Sequence, residues 1–134
     1  MSANIRDLVI EYNQAFGDRR LDRVTEMLHP DVVFDGTIGK PTRGAAEYMA
    51  GLPRLASIIV RNDIREIVVE GNRAFILYDF VTDTPAGAVL SGEFLTFEDG
   101  LIRSISLIYD WRHWPEVVAE VAKRNVPVKT AANS

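Results

Sequence analysis

Residues 73–111, RAFILYDFVTDTPAGAVLSGEFLTFEDGLIRSISLIYDW, decide the fold. Three runs rich in β-branched and aromatic residues, Arg73–Asp83, Gly87–Glu98 and Leu101–Trp111, are separated by Thr84–Gly87 and Asp99-Gly100. Separators of that composition are hairpin signals, so the runs predict an antiparallel meander. Upstream, the Ile- and Val-rich stretch Ser57–Glu70 joins it through Gly71-Asn72 and adds a strand. Further toward the N-terminus the period changes. Ile5, Leu8, Val9, Tyr12 and Phe16 mark one face of a helix, with Asn4 and Asp7 as capping residues and Gly17 as its stop. Leu21, Val24 and Leu28 predict a shorter helix closed by His29-Pro30, because a residue before proline avoids helical geometry. Asp31–Asp35 reads as a short strand, Thr37–Gly44 as a glycine-rich loop, and Ala45, Tyr48, Met49 and Leu52 as a helix interrupted at Pro53. Trp114-Pro115 opens a last helix. Helices first and strands second predict an α+β fold, its N-terminal helices packed on a curved, mainly antiparallel sheet.

The 134 residues predict one domain over 1–125 and a flexible tail over 126–134. Fifteen Lys and Arg stand against 19 Asp and Glu, a formal net charge of −4 with no basic block, which argues against nucleic acid as a partner. With no cysteine there is no disulfide framework, thiol nucleophile or thiolate zinc site. His29 and His113 are the only imidazoles and fit structural roles, so no metal site is expected. Apolar runs are too short to span a bilayer and Met1–Leu8 lacks a signal-peptide profile, which predicts a cytoplasmic protein without membrane attachment.

Strand alternation assigns faces. Phe75, Leu77, Val81, Ile105, Leu107 and Tyr109 are expected to meet the helices and line a pocket. Ile76, Tyr78, Phe80, Ile102 and Ile108 then fall on the opposite face, where an apolar patch predicts a homodimer formed sheet to sheet. Asp79, an acid in an apolar row, is paired with an arginine, exposed at the sheet edge, or functional; by strand position it lines the pocket. For Glu93 the facing depends on the turn. A three-residue turn Glu98-Asp99-Gly100 with a bulge pairs it with Ile105 and points it inward, the option preferred here. A two-residue turn Asp99-Gly100 pairs it with Ser106 and points it away.

Three segments together resemble the nuclear transport factor 2-like superfamily over Asn4–Lys123. They are Tyr12-Asn13-Gln14-Ala15-Phe16 to Leu21-Asp22, then Leu28-His29-Pro30-Asp31-Val32-Val33-Phe34-Asp35, then Gly92-Glu93-Phe94 to Ile108-Tyr109-Asp110. The superfamily includes ketosteroid isomerases, SnoaL-like polyketide cyclases and limonene epoxide hydrolases. The resemblance implies a cone-shaped fold around a pocket for a small hydrophobic molecule. It further implies, for an enzyme, cofactor-free proton transfer next to a carbonyl. On that reading Asp35 is the base, Tyr12 and Glu93 donate to the developing oxyanion, and Asp79 is an additional candidate. Phe16, Phe34, Tyr48, Leu52, Leu77, Ile105, Leu107, Tyr109 and Trp111 would line the ligand site. The aspartate that epoxide hydrolases and SnoaL-like cyclases carry on the last strand is replaced by Leu107, so their chemistry is not implied. The competing expectation is a non-catalytic binding or association module of the same fold.

Overall fold

The computed structural model describes residues 4–36 and 40–124. The tail expected over 126–134 lies outside the described residues.

Helix α1 (Ile5–Gly17) begins where the Asn4 side chain accepts hydrogen bonds from the backbone N–H groups of Arg6 and Asp7. It ends at Gly17, where an added Cβ would lie 3.0 Å from the Asn62 backbone nitrogen; only glycine lets the helix end approach the sheet so closely. Helix α2 (Leu21–Met27) follows. Strand β1 (Leu28–Asp35) starts three residues earlier than expected, with Pro30 inside it. His29 accepts a hydrogen bond from the Asp31 N–H, and the proline stops the helix without stopping the strand. A two-residue strand, β2 (Thr42–Arg43), lies within the expected loop and pairs with β1. Helix α3 (Ala45–Ala56) runs through Pro53 rather than ending there. Pro53 sits in its last turn, and the Ser57 hydroxyl closes the end by donating to the Arg54 carbonyl.

The four long strands β3 (Ile59–Glu70), β4 (Arg73–Thr82), β5 (Ala88–Glu98) and β6 (Leu101–Tyr109) form the expected meander. The sheet order is β2-β1-β6-β5-β4-β3, antiparallel throughout except where β1 runs parallel to β6. Helix α4 (Trp114–Arg124) carries Pro115 in its first turn. Among the described residues no helix is long and apolar enough to cross a membrane.

Two features set the faces of the sheet. On β4 the residues Ala74, Ile76, Tyr78 and Phe80 are buried against the helices, so the expected facing of this strand is inverted. Phe75, Leu77, Asp79 and Val81 lie on the outer face. Both sets are largely apolar, and period-two alternation then carries no sign of which side is in. On β6 the facing changes partway. Asp99 and Gly100, with φ of 54° and 78°, make a two-residue turn that pairs Glu98 with Leu101. Phe97 pairs with Ile102 but Thr96 pairs with Ser104, leaving Arg103 as one extra residue. Beyond this bulge Glu93 pairs with Leu107 and points inward. Neither turn considered from sequence combines these features: the two-residue turn is present, and the bulge restores the inward register.

Candidate functional site

Helices α1 and α3 cross the concave side of the sheet and leave a cavity of about 300 Å³. Tyr12 and Phe16 reach it from α1, one turn apart on the buried stripe; Tyr48, Leu52 and Leu55 do the same from α3. The sheet contributes Phe34 from β1, Tyr78 and Phe80 from β4, Ser91 and Glu93 from β5, and Leu107 and Tyr109 from β6. Rings line much of the wall. Phe16 stacks on Phe80 at 6.1 Å, Phe34 tilts against Tyr48 at 5.0 Å, and Tyr109 against Trp114 at 4.7 Å.

Besides Thr42, Glu47, Ser91 and Tyr109, this wall carries four oxygen-bearing side chains that act on one another. The Tyr12 and Tyr48 hydroxyls are 2.6 Å apart, one donating to the other. Tyr78 donates to Glu93 Oε2 in a short hydrogen bond between diagonal neighbours on β4 and β5. Glu93 Oε1 is buried and has no hydrogen-bonding partner among the described residues. Burial pushes the Glu93 carboxyl up to about 7, against the downward pull of the Tyr78 hydroxyl. Burial also holds Tyr12 and Tyr78 well above the ordinary tyrosine value, and raises Tyr48. The nearby Glu93 charge pushes all three in the same direction. These tyrosines therefore stay protonated donors across the physiological range, while the acid is poised near neutrality.

The sites expected from sequence divide in two. Tyr12, Phe16, Phe34, Tyr48, Leu52, Glu93, Leu107 and Tyr109 come together on the cavity wall. Asp35, Leu77, Asp79, Ile105 and Trp111 do not. Asp35 is exposed at the end of β1, on the side of the strand away from Phe34. Leu77 and Asp79 follow the inverted facing of β4. Asp79 makes a two-pronged ion pair with Arg65, its Oδ2 2.9 Å from Nε and its Oδ1 3.1 Å from the guanidinium, which is the first of its three expected fates. Ile105 is fully buried in the core rather than at the cavity surface. Trp111 is 62% exposed, and Trp114 takes the place assigned to it. Tyr78, Phe80 and Ser91 were not expected at the site. The polar Asp79 was the available signal: an acid marks the outer phase of β4 and sends Tyr78 and Phe80 inward.

The tyrosine pair changes what a simple substitution does. Tyr12→Phe preserves the packing of the ring but strands the buried Tyr48 hydroxyl. The expected cost is about 1–3 kcal/mol in denaturant unfolding, the penalty for a buried polar group without its partner. A loss below about 0.3 kcal/mol would contradict the pairing.

A curved mixed sheet wrapped by helices around such a cavity is the nuclear transport factor 2-like fold. Residues 9–105 match the SnoaL-like domain, and the chain belongs to that family. Among solved structures it resembles an NTF2-like protein from Cytophaga hutchinsonii, with 21% identity and a TM-score of 0.73 over 87% of this chain and 98% of that one. A steroid delta-isomerase from Pseudomonas aeruginosa is 18% identical with a TM-score of 0.73, over 92% and 93% of the two chains. TerC, co-crystallised with polyporic acid, is 18% identical with a TM-score of 0.72, over 86% and 98%. No curated protein matches the chain in sequence.

Proposed function

We propose that this protein binds a small, uncharged, largely apolar molecule bearing a carbonyl, and moves a proton at the carbon beside it. The observation that carries the reading is Glu93, a buried carboxyl with one oxygen held by Tyr78 and the other unpartnered in an aromatic cavity. Below pH 7 the neutral acid has its Oε2 engaged by Tyr78, so its proton belongs on Oε1. Above pH 7 the same oxygen is a desolvated base. In the proposed step Glu93 Oε1 takes a proton from the carbon next to the carbonyl, leaving an enolate. A hydroxyl of the Tyr12–Tyr48 pair donates to the enolate oxygen, and Glu93 returns the proton to carbon. Among the described residues no Lys, Arg or His lines the cavity, so an anionic ligand would meet no counter-charge. Similarity to a steroid delta-isomerase and to a protein holding polyporic acid supports a hydrophobic, oxygenated ligand. Asp35 and Asp79 have no part in this step.

The test is deuterium exchange. Small cyclic and linear ketones incubated with the protein in D2O should exchange the hydrogens beside their carbonyl, followed by NMR. The rate should rise with pH to a plateau above about pH 7, as Glu93 becomes the carboxylate. Binding without exchange would reduce the protein to the binding module. Failure of every ketone to bind would remove the reading altogether.

The reading extends to assembly. The outer face carries Val68, Phe75, Leu77, Leu90, Phe94 and Ile108; of the five residues expected there from sequence, Ile76, Tyr78, Phe80 and Ile102 are buried on the helix side and only Ile108 lies outside. The Phe75 ring packs against Gly92, where an added Cβ would come within 2.7 Å of it. Arg61, Asp63, Arg65 and Asp79 ring it with charges of both signs. A second copy offers the same apolar centre and the same mixed rim, and a twofold pairing covers both.

A further inference from the structure

A second space adjoins the cavity. A groove of about 350 Å³ runs between α3 and α4, apolar throughout except for Arg54, with Val117, Val118 and Val121 along α4. Gly51, Leu55 and Trp114 line both the cavity and this groove, so the two spaces lie side by side there. Gly51 is the notable member. It stands inside helix α3, where glycine costs helix stability relative to alanine, and no heavy atom lies within 4 Å of the Cβ it lacks. Packing therefore gives no reason for a glycine there. Open space beside it gives one: a long side chain there would project between the cavity and the groove.

We infer that the ligand is amphiphilic, with its oxygenated head beside Glu93 and an unbranched apolar tail that passes over Gly51 into the α3–α4 groove. This rests on the cavity reading above and adds the shape of the substrate to it. A compact polycyclic ligand would use the cavity alone and leave the groove with no role. A linear tail suits both the adjacency of the two spaces at Gly51 and the apolar wall of α4, where Val118 remains 56% exposed.

A homologous series of 2-alkanones, from 2-pentanone to 2-tridecanone, tests this by isothermal titration calorimetry on the full chain. Affinity should rise about fourfold per methylene well beyond the length the cavity holds, the fold-change equivalent to about 0.8 kcal/mol for each buried CH₂. Val118→Asp, in the groove but not on the cavity wall, should leave the shortest ketones within about threefold of wild type and weaken the longest at least thirtyfold, the equivalent of about 2 kcal/mol. An unchanged far-UV circular dichroism spectrum and melting temperature serve as the folding control. A series that flattens at short chains in the wild-type protein overturns the inference while leaving the cavity reading intact. So does a Val118→Asp variant that binds 2-tridecanone as tightly as wild type. The groove would then belong to residues beyond 124 or to a second copy. No binding by any member overturns the cavity reading and this inference together.

Discussion

Glu93→Gln is expected to abolish proton exchange and, above neutrality, to make the protein more stable. The amide keeps the shape of the carboxyl and can still accept from Tyr78, but it cannot take a proton from carbon. Exchange should fall by at least about a hundredfold while ketone affinity changes little, the pattern for a group used only in the chemical step. The stability effect follows from linkage. The folded-state value of about 7 lies above the ordinary 4.5, so the folded protein holds this proton more tightly than the unfolded chain does. Stability from this group is complete below pH 4.5, declines as pH rises toward 7, and is fully lost above it. The burden at pH 8 is on the order of 3 kcal/mol. The glutamine variant never carries it. Wild type and variant should melt together near pH 4, and the variant should melt roughly 10 °C higher at pH 8. Equal melting temperatures at pH 8 would show that the carboxyl is not desolvated as described.

Phe94→Asp is expected to split the proposed dimer. Phe94 stands near the middle of the outer patch, beside Phe75 across the β4–β5 ladder, and is 39% exposed in the isolated chain. In a sheet-to-sheet pair an aspartate there would lose its hydration and face its counterpart in the other copy, with the Arg73 guanidinium, 6.0 Å from the Phe94 ring, as the neighbouring cation. Desolvation and like-charge repulsion together cost several kcal/mol, about a thousandfold or more in dissociation constant. Light scattering after size exclusion should give about 30 kDa for wild type, twice the chain mass of 15.0 kDa, and about 15 kDa for the variant. Far-UV circular dichroism should be unchanged, since the site is on the surface of the isolated chain. A wild-type mass near 15 kDa at micromolar concentration would sink the pairing.

How far the sequence could be read follows from the kind of signal each residue carried. Tyr12, Phe16, Tyr48 and Leu52 sit on helices with one apolar stripe each, and a stripe flanked by polar residues has only one way to face. The place of the last hairpin was equally plain, because Asp99-Gly100 allows the positive φ that a tight turn demands, but its length was not: the three-residue turn preferred from sequence is a two-residue turn followed by a bulge. Strand β4 offered no such contrast: Ala74, Ile76, Tyr78 and Phe80 look as apolar as Phe75, Leu77 and Val81. The inverted facing removed Asp79 and Leu77 from the expected site and hid Tyr78, the hydrogen-bond partner of Glu93. Phe34 and Asp35 were both assigned to the site by the resemblance, and strand alternation, which puts Phe34 on the cavity, turns Asp35 outward. Glu93 itself depended on a bulge that leaves little mark in the residue string.

That bulge makes strand β6 legible in two frames. Up to Ile102 the strand is in phase with its turn; after Arg103 it is in phase with the cavity. Deleting Arg103 would iron out the bulge and leave every later pair, Glu93 with Leu107 included, as it is. Taking Arg103 into the ladder opposite Thr96 would instead rotate each later residue to the other side: Ser106 and Ile108 would enter the cavity, and Leu107 and Tyr109 would move to the face proposed for pairing. The interior and the exterior of the sheet are thus coupled through one residue in neither of them. A lineage that lost the residue would keep both surfaces, whereas one that kept it and lost the bulge would exchange its binding wall for its contact surface.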